Sequence, residues 1–580
     1  MIEKPPEKKS RKALGMLFAI LPIGMIATAG ALARWVDLHG SEAPVLRMRV
    51  GPVLTLDPAE ASDWSSLREI GRVYETPLRY QREVDSEPSA AKVLNPRRLE
   101  PWLLKKMPET RDQGRTWVLD FRTDRRFHPS SLFSGKDRRS GREISACDWV
   151  ESILRHLESD SRSVWKSYLE RRLKDRESIR CESTHQAVVR LQFHDPEFGY
   201  FLAHPAASVL PVAEIKKQNW NIRFHPVGSG AFRLEKELTA PSLENPQRLR
   251  WRAVSRNTPL RRIEVDLGSD GAQDWKQLTT GRLDLIEVPE SLRARVIGSD
   301  GKLTPDAETS GLRLLKVARS DLIMVGISPK NSILGSKRGV RLALGLALTP
   351  EDVLEPVFGA DRAVLAYGPL PPGVRGYRLD YRHLYRGSDV ERARDLLGSN
   401  GFAHGHGLPT FRLGCLDHPL EQNVCRALMQ GWGKVGFQTE KVTLDAQSRR
   451  KAILQGEIDL WPVTWVADLP APASYLEIFS GASEPGLSGL PEIPNLGKAS
   501  EKLEKILNRI RMAPSSVLMQ QSVDEAVDLI NLESPAVFLF HRFQFWLVKK
   551  GWKGIGLEDF SWHDSDQVSI TLQKDEPNRE

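Results

Sequence analysis

Gly456-Glu-Ile-Asp-Leu-Trp-Pro-Val-Thr-Trp-Val-Ala-Asp-Leu-Pro-Ala-Pro472 is an apolar, strand-like run that follows a glycine turn and ends in Trp465, Asp468 and prolines. A strand that gives way to a loop here leaves a lone carboxylate at the strand end. Open α/β sheets bind ligands in the crevice beyond the carboxyl ends of their strands, where aromatic walls with one charge can capture a cationic group. The plain alternative is a turn Asp ahead of Pro470.

The same alternation of strand and helix extends on both sides of that run. Upstream, Thr410-Phe-Arg-Leu-Gly414 is a strand, Glu421 to Val435 an amphipathic helix closed by Gly436, and Asp389 to Leu397 a capped helix. Leu322-Ile-Met-Val-Gly-Ile327 is a buried strand, and Arg338 to Leu348 a helix with Val340, Ala343, Leu344 and Ala347 on one face. Downstream, Ser516 to Leu532 is helical and Ala536-Val-Phe-Leu-Phe540 a buried strand. Earlier in the chain, Arg261 to Leu267, a helix near 272–280 and Leu283 to Ile286 form a β-α-β unit, which predicts parallel strands.

The amino-terminal half contains strands at 45–58, 98–128 and 188–193, with helices over Ser65 to Val73 and Asp148 to His156. Val227-Gly-Ser-Gly-Ala-Phe232 follows a proline-rich segment and reads as a turn feeding a strand, because it lacks the third glycine and the helix of a phosphate loop.

At 580 residues the chain exceeds the size at which one core stops growing, so two or three lobes are expected. Hydrophobic content of 40% and charged content of 27% exclude extensive disorder and multiple membrane spans. The net charge of +8 is spread among interleaved signs, with no basic face of the kind that binds nucleic acid.

Lys8, Lys9, Arg11 and Lys12 precede an apolar run from Ala13 to Ala33, with Ala27-Thr28-Ala29 and Ala31-Leu32-Ala33 as small-residue cleavage sites. This is an export signal, or, if uncleaved, a membrane anchor of sufficient length to span. No Cys follows the run, which excludes a lipid-modified N-terminal Cys. The body is expected outside the inner membrane, in the periplasm. Cys147, Cys181, Cys415 and Cys425 allow three pairings; the sequence-local pairs are expected, with four free buried thiols as the alternative.

Catalytic constellations are missing: there is no HExxH, GxSxG, Walker loop or paired CxxC, so neither catalytic residue, metal nor cofactor is expected. His404 and His406 lie in a glycine-rich loop without an acidic or thiol partner nearby, and His128 ends a strand.

Taken in order, several segments resemble the extracytoplasmic solute-binding proteins of family 5, the peptide and nickel class that serves ABC transporters. They are Leu56-Asp-Pro58, Val73-Tyr-Glu-Thr-Pro-Leu-Arg-Tyr80, Trp117 to His128 with Ser145-Ala-Cys-Asp-Trp-Val150, and Val227 to Phe232. Lys337 to Leu344 with Thr349-Pro-Glu-Asp-Val353, Gly368 to Gly373 and the Gly456–Pro472 run complete the series. The likeness covers about Val45 to Val568.

The resemblance implies a periplasmic-binding-protein-like α/β fold of type II, with two mixed α/β lobes, a hinge and an inserted extra lobe. It divides the chain into 1–44 (signal or anchor plus linker), 45–78 (lobe I), 79–225 (inserted lobe II), 226–315 (lobe I), 316–535 (lobe III) and 536–580 (lobe I and tail). In peptide-binding members an Asp in this motif pairs with the ligand's α-amino group. The role falls on Asp468, with Trp465 and Trp461 as nearby apolar wall. Ala471 stands where the family has an acidic residue, Phe127-His-Pro-Ser130 replaces its FHDG, and Leu342 its Gln.

The implied function is capture of an oligopeptide or similar solute by a monomer, and delivery to ABC permease subunits in the inner membrane. A membrane-tethered sensor or adaptor is the alternative from another class, and a secreted hydrolase the last.

Overall fold

The computed structural model describes residues 44–80, 99–235, 248–480, 498–555 and 571–572, apart from breaks at 256–257, 269–270, 299, 350–351, 354–356, 358–362, 379–380, 382–387, 468, 514 and 554. The apolar amino-terminal run lies outside the described residues, and so does Asp468. Among the described residues, no helix is long and apolar enough to cross a membrane.

One 12-stranded mixed sheet organises the molecule. Its first part is built on Val45–Val50, whose alternating burial reflects the apolar-polar alternation of Val-Leu-Arg-Met-Arg-Val. This strand is parallel to both Arg262–Leu267 and Leu285–Glu287, with helix Gly271–Thr279 as the crossover between them. The β-α-β reading holds. The second part places Asp321–Ile327 antiparallel to Leu460–Val466, which in turn lies parallel to Phe411–Leu416 and, beyond it, Thr439–Leu444.

Strand Ala536–Lys549 joins the two parts. Its 14 residues run far past the apolar stretch that ends at Phe540. From there the pattern changes: Phe545 and Leu547 face one core, while Trp546 and Val548 face another. Alternation replaces a continuous run because this half of the strand separates two differently covered faces.

The inserted lobe carries a four-stranded antiparallel sheet over Glu109–Arg111, Thr116–Asp120, Gln186–Arg190 and Ile179–Ser183. Helix Ala146–Arg155 packs on it. It begins two residues before the periodicity suggests, since Ser145 and Asp148 form a capping box. Arg155 reaches back to the buried Asp57, forming a bidentate pair across 98 residues of chain, at 2.9 Å from Nη1 to Oδ1. That explains the Leu56-Asp-Pro58 segment: its carboxylate ties the inserted lobe to the first.

The glycines of Val227-Gly-Ser-Gly also have a structural reason. A Cβ on Gly228 would lie 1.9 Å from the Val73 carbonyl oxygen, and one on Gly230 would lie 2.6 Å from that of Arg72. The turn therefore abuts the end of helix Trp64–Val73. His128 locks it: its amide donates to the Gly228 carbonyl at 2.6 Å, and its Nε2 donates to that of Gly230 at 2.8 Å.

Cys147 pairs with Cys181 and Cys415 with Cys425, the sequence-local connectivity. The first bond links helix Ala146–Arg155 to its sheet, and the second links strand Phe411–Leu416 to helix Pro419–Gly433. His404 and His406 are exposed at a one-turn loop.

Three buried imidazoles, His128, His156 and His541, are held down to a pKa of about 4, with burial as the main cause. Each binds a proton more readily unfolded, near pH 6.5, than folded. Their contribution to stability is full above pH 6.5 and is lost as the pH falls towards 4. Thermal unfolding should therefore drop by about 5 °C or more between pH 7 and pH 4.5. Replacing His541 with Gln should flatten that slope, and a slope unchanged in His128→Gln, His156→Gln and His541→Gln would refute the assignment.

Candidate functional site

Between the two parts of the sheet the chain crosses twice, side by side. Leu312–Ala318 pairs with the Phe543–Lys549 end of the long strand, and Asp321–Ile327 with its Ala536–Phe540 end. Arg319 and Ser320 span the gap on one strand, and His541 and Arg542 on the other. Two strands linked this way allow rotation through a few backbone angles.

Asp321 holds the crossing together. Its carboxylate is fully buried and accepts from Arg542 Nε at 2.8 Å, Nη2 at 2.6 Å and the backbone amide at 3.2 Å. Arg319 Nε lies 3.4 Å from the same carboxylate, and the Arg319 amide donates to the Arg542 carbonyl at 2.9 Å. His541 Nδ1 donates to the Asp321 carbonyl at 2.9 Å, while Tyr475 donates its hydroxyl to the Ser320 carbonyl at 2.8 Å.

The opening run ends beside this hinge. Trp465 lies opposite Leu322, and Val463 opposite Met324, on the face covered by helices Lys498–Met512 and Ser516–Glu533. Trp465 is 7% exposed, and its Nε1 has no hydrogen-bond partner among the described residues. Trp461, four residues earlier on that face, lies over Gly326: a Cβ there would approach the indole to 2.3 Å. It packs with Ala452, Ile453 and Ile458 and is 1% exposed, so its indole belongs to the core of this lobe.

Beyond Trp465 the chain leaves its own lobe. Ala467 and Ala473 belong to the core of the second part, whereas Leu469 and Ala471 are buried in the cluster formed by the first and inserted lobes. The loop therefore reaches across the cleft. Leu315, Val317 and Trp546 of the hinge strands belong to that same extended core.

Helix Phe198–Ala203 of the inserted lobe supplies the facing wall. Glu197, just before it, accepts from the Ala473 amide at 3.4 Å. Tyr200 stacks on Tyr80 with ring centres 6.2 Å apart and is hydrogen-bonded by Arg375 of the other lobe. A charged seam continues outward. Arg172 binds Asp195 at 2.7 Å on one side, Arg511 binds Glu477 at 2.9 Å on the other, and His194 Nε2 lies 3.2 Å from the Arg511 carbonyl. Burial, reinforced by Asp195 and Glu477, pushes the Glu197 carboxyl up to about 7 against the opposing pull of Arg511.

The 467–473 loop and helix Phe198–Ala203 thus bring residues of separate lobes together close to the two-strand crossing. The model of the bacterial extracellular solute-binding proteins, family 5 Middle, matches residues 98–486. The chain belongs to this family.

Curated relatives are distant. The chain is 23% identical to heme-binding protein A of Haemophilus influenzae over 359 residues, which span 60% of this chain and 60% of that protein. It is 24% identical to the glutathione-binding protein GsiB of Pectobacterium atrosepticum over 386 residues, 62% and 68% of the two chains. Solved structures cover more. HbpA2 from Haemophilus parasuis superimposes with a TM-score of 0.74 at 18% identity, covering 92% of this chain and 100% of its own. The periplasmic binding protein DppA from Helicobacter pylori, in complex with the peptide STSA, gives 0.67 at 17% identity, covering 92% and 98%. These likenesses establish the fold.

Proposed function

We propose that this family member captures an oligopeptide or similar small solute in the interlobe cleft and delivers it to the permease subunits of an ABC importer. The observation that carries the proposal is the loop at 467–473, which leaves one lobe to bury Leu469 and Ala471 in the core of the other. A solute enclosed there would be removed from water on closure, which strengthens each charged contact it makes.

Asp468 is assigned the ligand's cationic group by the matching motif, and the buried Trp465 is assigned the adjoining wall. Trp461 would act from below, holding the strand in register against Gly326. Proteins bearing comparable folds are described as binding a peptide, and distant curated relatives as binding heme or glutathione. We assign this chain the peptide class. No catalytic step is assigned to the cleft.

Mass spectrometry of solute retained through native purification tests the reading. Short peptides are expected on the unmodified protein, and Asp468→Ala should retain at least tenfold less. Retention of lipid or a metal complex alone, unchanged in Asp468→Ala, would overturn it.

A further inference from the structure

We propose that the outer face of the sheet built on Val45–Val50 docks on a lipid bilayer, with Arg233, Arg252 and Arg262 binding the phosphates of anionic head groups. The inference is independent of which solute the protein captures.

These arginines are scattered in sequence and gathered by strand register. Strand Arg248–Ala253 lies between Arg262–Leu267 and Phe232–Leu234, antiparallel to both, and Arg252 stands opposite Arg262 on one side and Arg233 on the other. Val45 stands opposite Arg262 in turn, so one row crosses four strands. Side chains alternate: Leu46, Leu249, Trp251 and Ile263 turn into the core, and this row turns away from it. Helix Gly271–Thr279 packs at the other end of that outer face, where Arg49 lies 2.8 Å from Asp274 and is 12% exposed. Away from the helix, the side chains of Arg250 and Arg262 are 52% and 41% exposed.

Charge is uneven along the face. In the second row Arg47 and Arg250 flank Glu264, at 4.0 and 3.6 Å, and in the third Arg49 and Arg248 flank Asp266, at 3.7 and 2.5 Å. Asp284, 3.9 Å from Arg47, and Asp274 complete the balance of these inner rows, which hold as many carboxylates as arginines. The outer row has a single carboxylate beside it, Glu235, 3.0 Å from Arg262. Arg233 and Arg252 are exposed and make no ion pair among the described residues. Like charges directly opposite on neighbouring strands repel, so an anion laid across the row relieves a cost that the fold otherwise bears.

Position selects the anion. The Pro44 carbonyl accepts from the Arg261 amide at 3.4 Å, and the chain passes from there into Val45 of the same row. Eleven residues separate Val45 from Ala33, the end of the apolar run that is long enough to span a membrane. An extended chain of that length reaches at most about 40 Å, so a bilayer crossed by the run lies within that distance of the arginines. Val254, two residues past Arg252 at the turn, is 45% exposed and supplies an apolar side chain of the kind that enters the head-group boundary. Paired guanidinium N–H donors match phosphate oxygens. The carboxyl ends of the parallel strands, where such sheets take solutes, lie at the opposite end of the sheet.

Arginine footprinting tests the proposal. The full chain, inserted through its own apolar run into lipid nanodiscs, is treated with phenylglyoxal, and each arginine is followed by peptide mass spectrometry. In discs of phosphatidylglycerol and phosphatidylcholine in equal parts, Arg233, Arg250 and Arg252 should react at least fivefold more slowly than in discs of phosphatidylcholine alone. Arg412, exposed on the second part of the sheet, should react equally in both. High salt should abolish the contrast. In the double variant Arg233→Gln, Arg252→Gln, the contrast at Arg250 should fall below about twofold. Equal reactivity in the two kinds of disc would overturn the proposal, and so would a contrast at Arg250 that persists in the double variant. Slow reaction in both discs, relieved by deleting residues 573–580, would mean that the chain's own carboxyl-terminal segment covers the row and would also overturn it.

Discussion

Asp321→Ala is expected to lower the stability of the hinge by roughly 3 kcal/mol, the cost of breaking an ion pair whose carboxylate is fully buried and whose arginines are partly so. The carboxylate is fully buried and carries three hydrogen bonds from Arg542, at 2.6 to 3.2 Å, besides the 3.4 Å contact with Arg319. Its loss would strand two guanidiniums at the point where both strands cross. Chemical denaturation followed by tryptophan fluorescence should show the shift. Because Arg542→Ala in the same background removes one stranded charge, the double variant should regain part of the loss. A shift below about 1 kcal/mol in Asp321→Ala would mean that the pair does not hold the crossing.

Gly228→Ala carries the second large effect. The added methyl would sit 1.9 Å from the Val73 carbonyl oxygen and 2.7 Å from its carbon, both backbone atoms that cannot rotate away. Relief requires the turn to withdraw from helix Trp64–Val73, breaking the bond from the Gly230 amide to the Val73 carbonyl at 2.9 Å and the two bonds with His128. A loss of roughly 3 kcal/mol or more follows from such overpacking, and the helix that would move carries Arg68. Gly398→Ala is the control. It lies within helix Val390–Ser399, and a Cβ there would meet nothing within 4 Å, so it should be neutral or stabilising by about 0.5–1 kcal/mol. Similar thermal midpoints for the two variants would contradict the packing argument.

Much of the fold was legible because local pattern and tertiary role agree. The alternation in Val45–Val50 and the β-α-β unit each announce an element that tertiary packing then uses. The long strand was legible only as far as Phe540. Past that point its residues answer to separate cores on opposite faces, which an apolar count does not reveal.

The site was harder to read for a related reason. Asp321 and Arg542 are separated by 221 positions, and nothing local in Ser320-Asp321-Leu322 marks the carboxylate as buried. Arg68 sits in Trp-Ser-Ser-Leu-Arg-Glu, where a solvated helix face is the ordinary expectation. Nothing local points to Trp546, whose ring centre lies 5.4 Å from the Arg68 guanidinium although it is far away in the chain. Trp461 shows the converse. Its neighbourhood to Trp465 in sequence suggested a wall, yet Gly326 on the paired strand makes room for it in the core.

The central claim is that the lobes close on a solute about the crossings at 319–320 and 541–542. Spin labels at Met107→Cys in the inserted lobe and Val517→Cys in the second, both exposed positions, report that motion by pulsed electron resonance. Protein freed of solute by unfolding in urea with its disulfides intact, then refolded, should give a broad distance distribution. Addition of a tryptic digest of casein should narrow and displace it, and the change should be lost in Asp468→Ala. A single distance that does not respond to peptides known by native mass spectrometry to be bound would contradict the account.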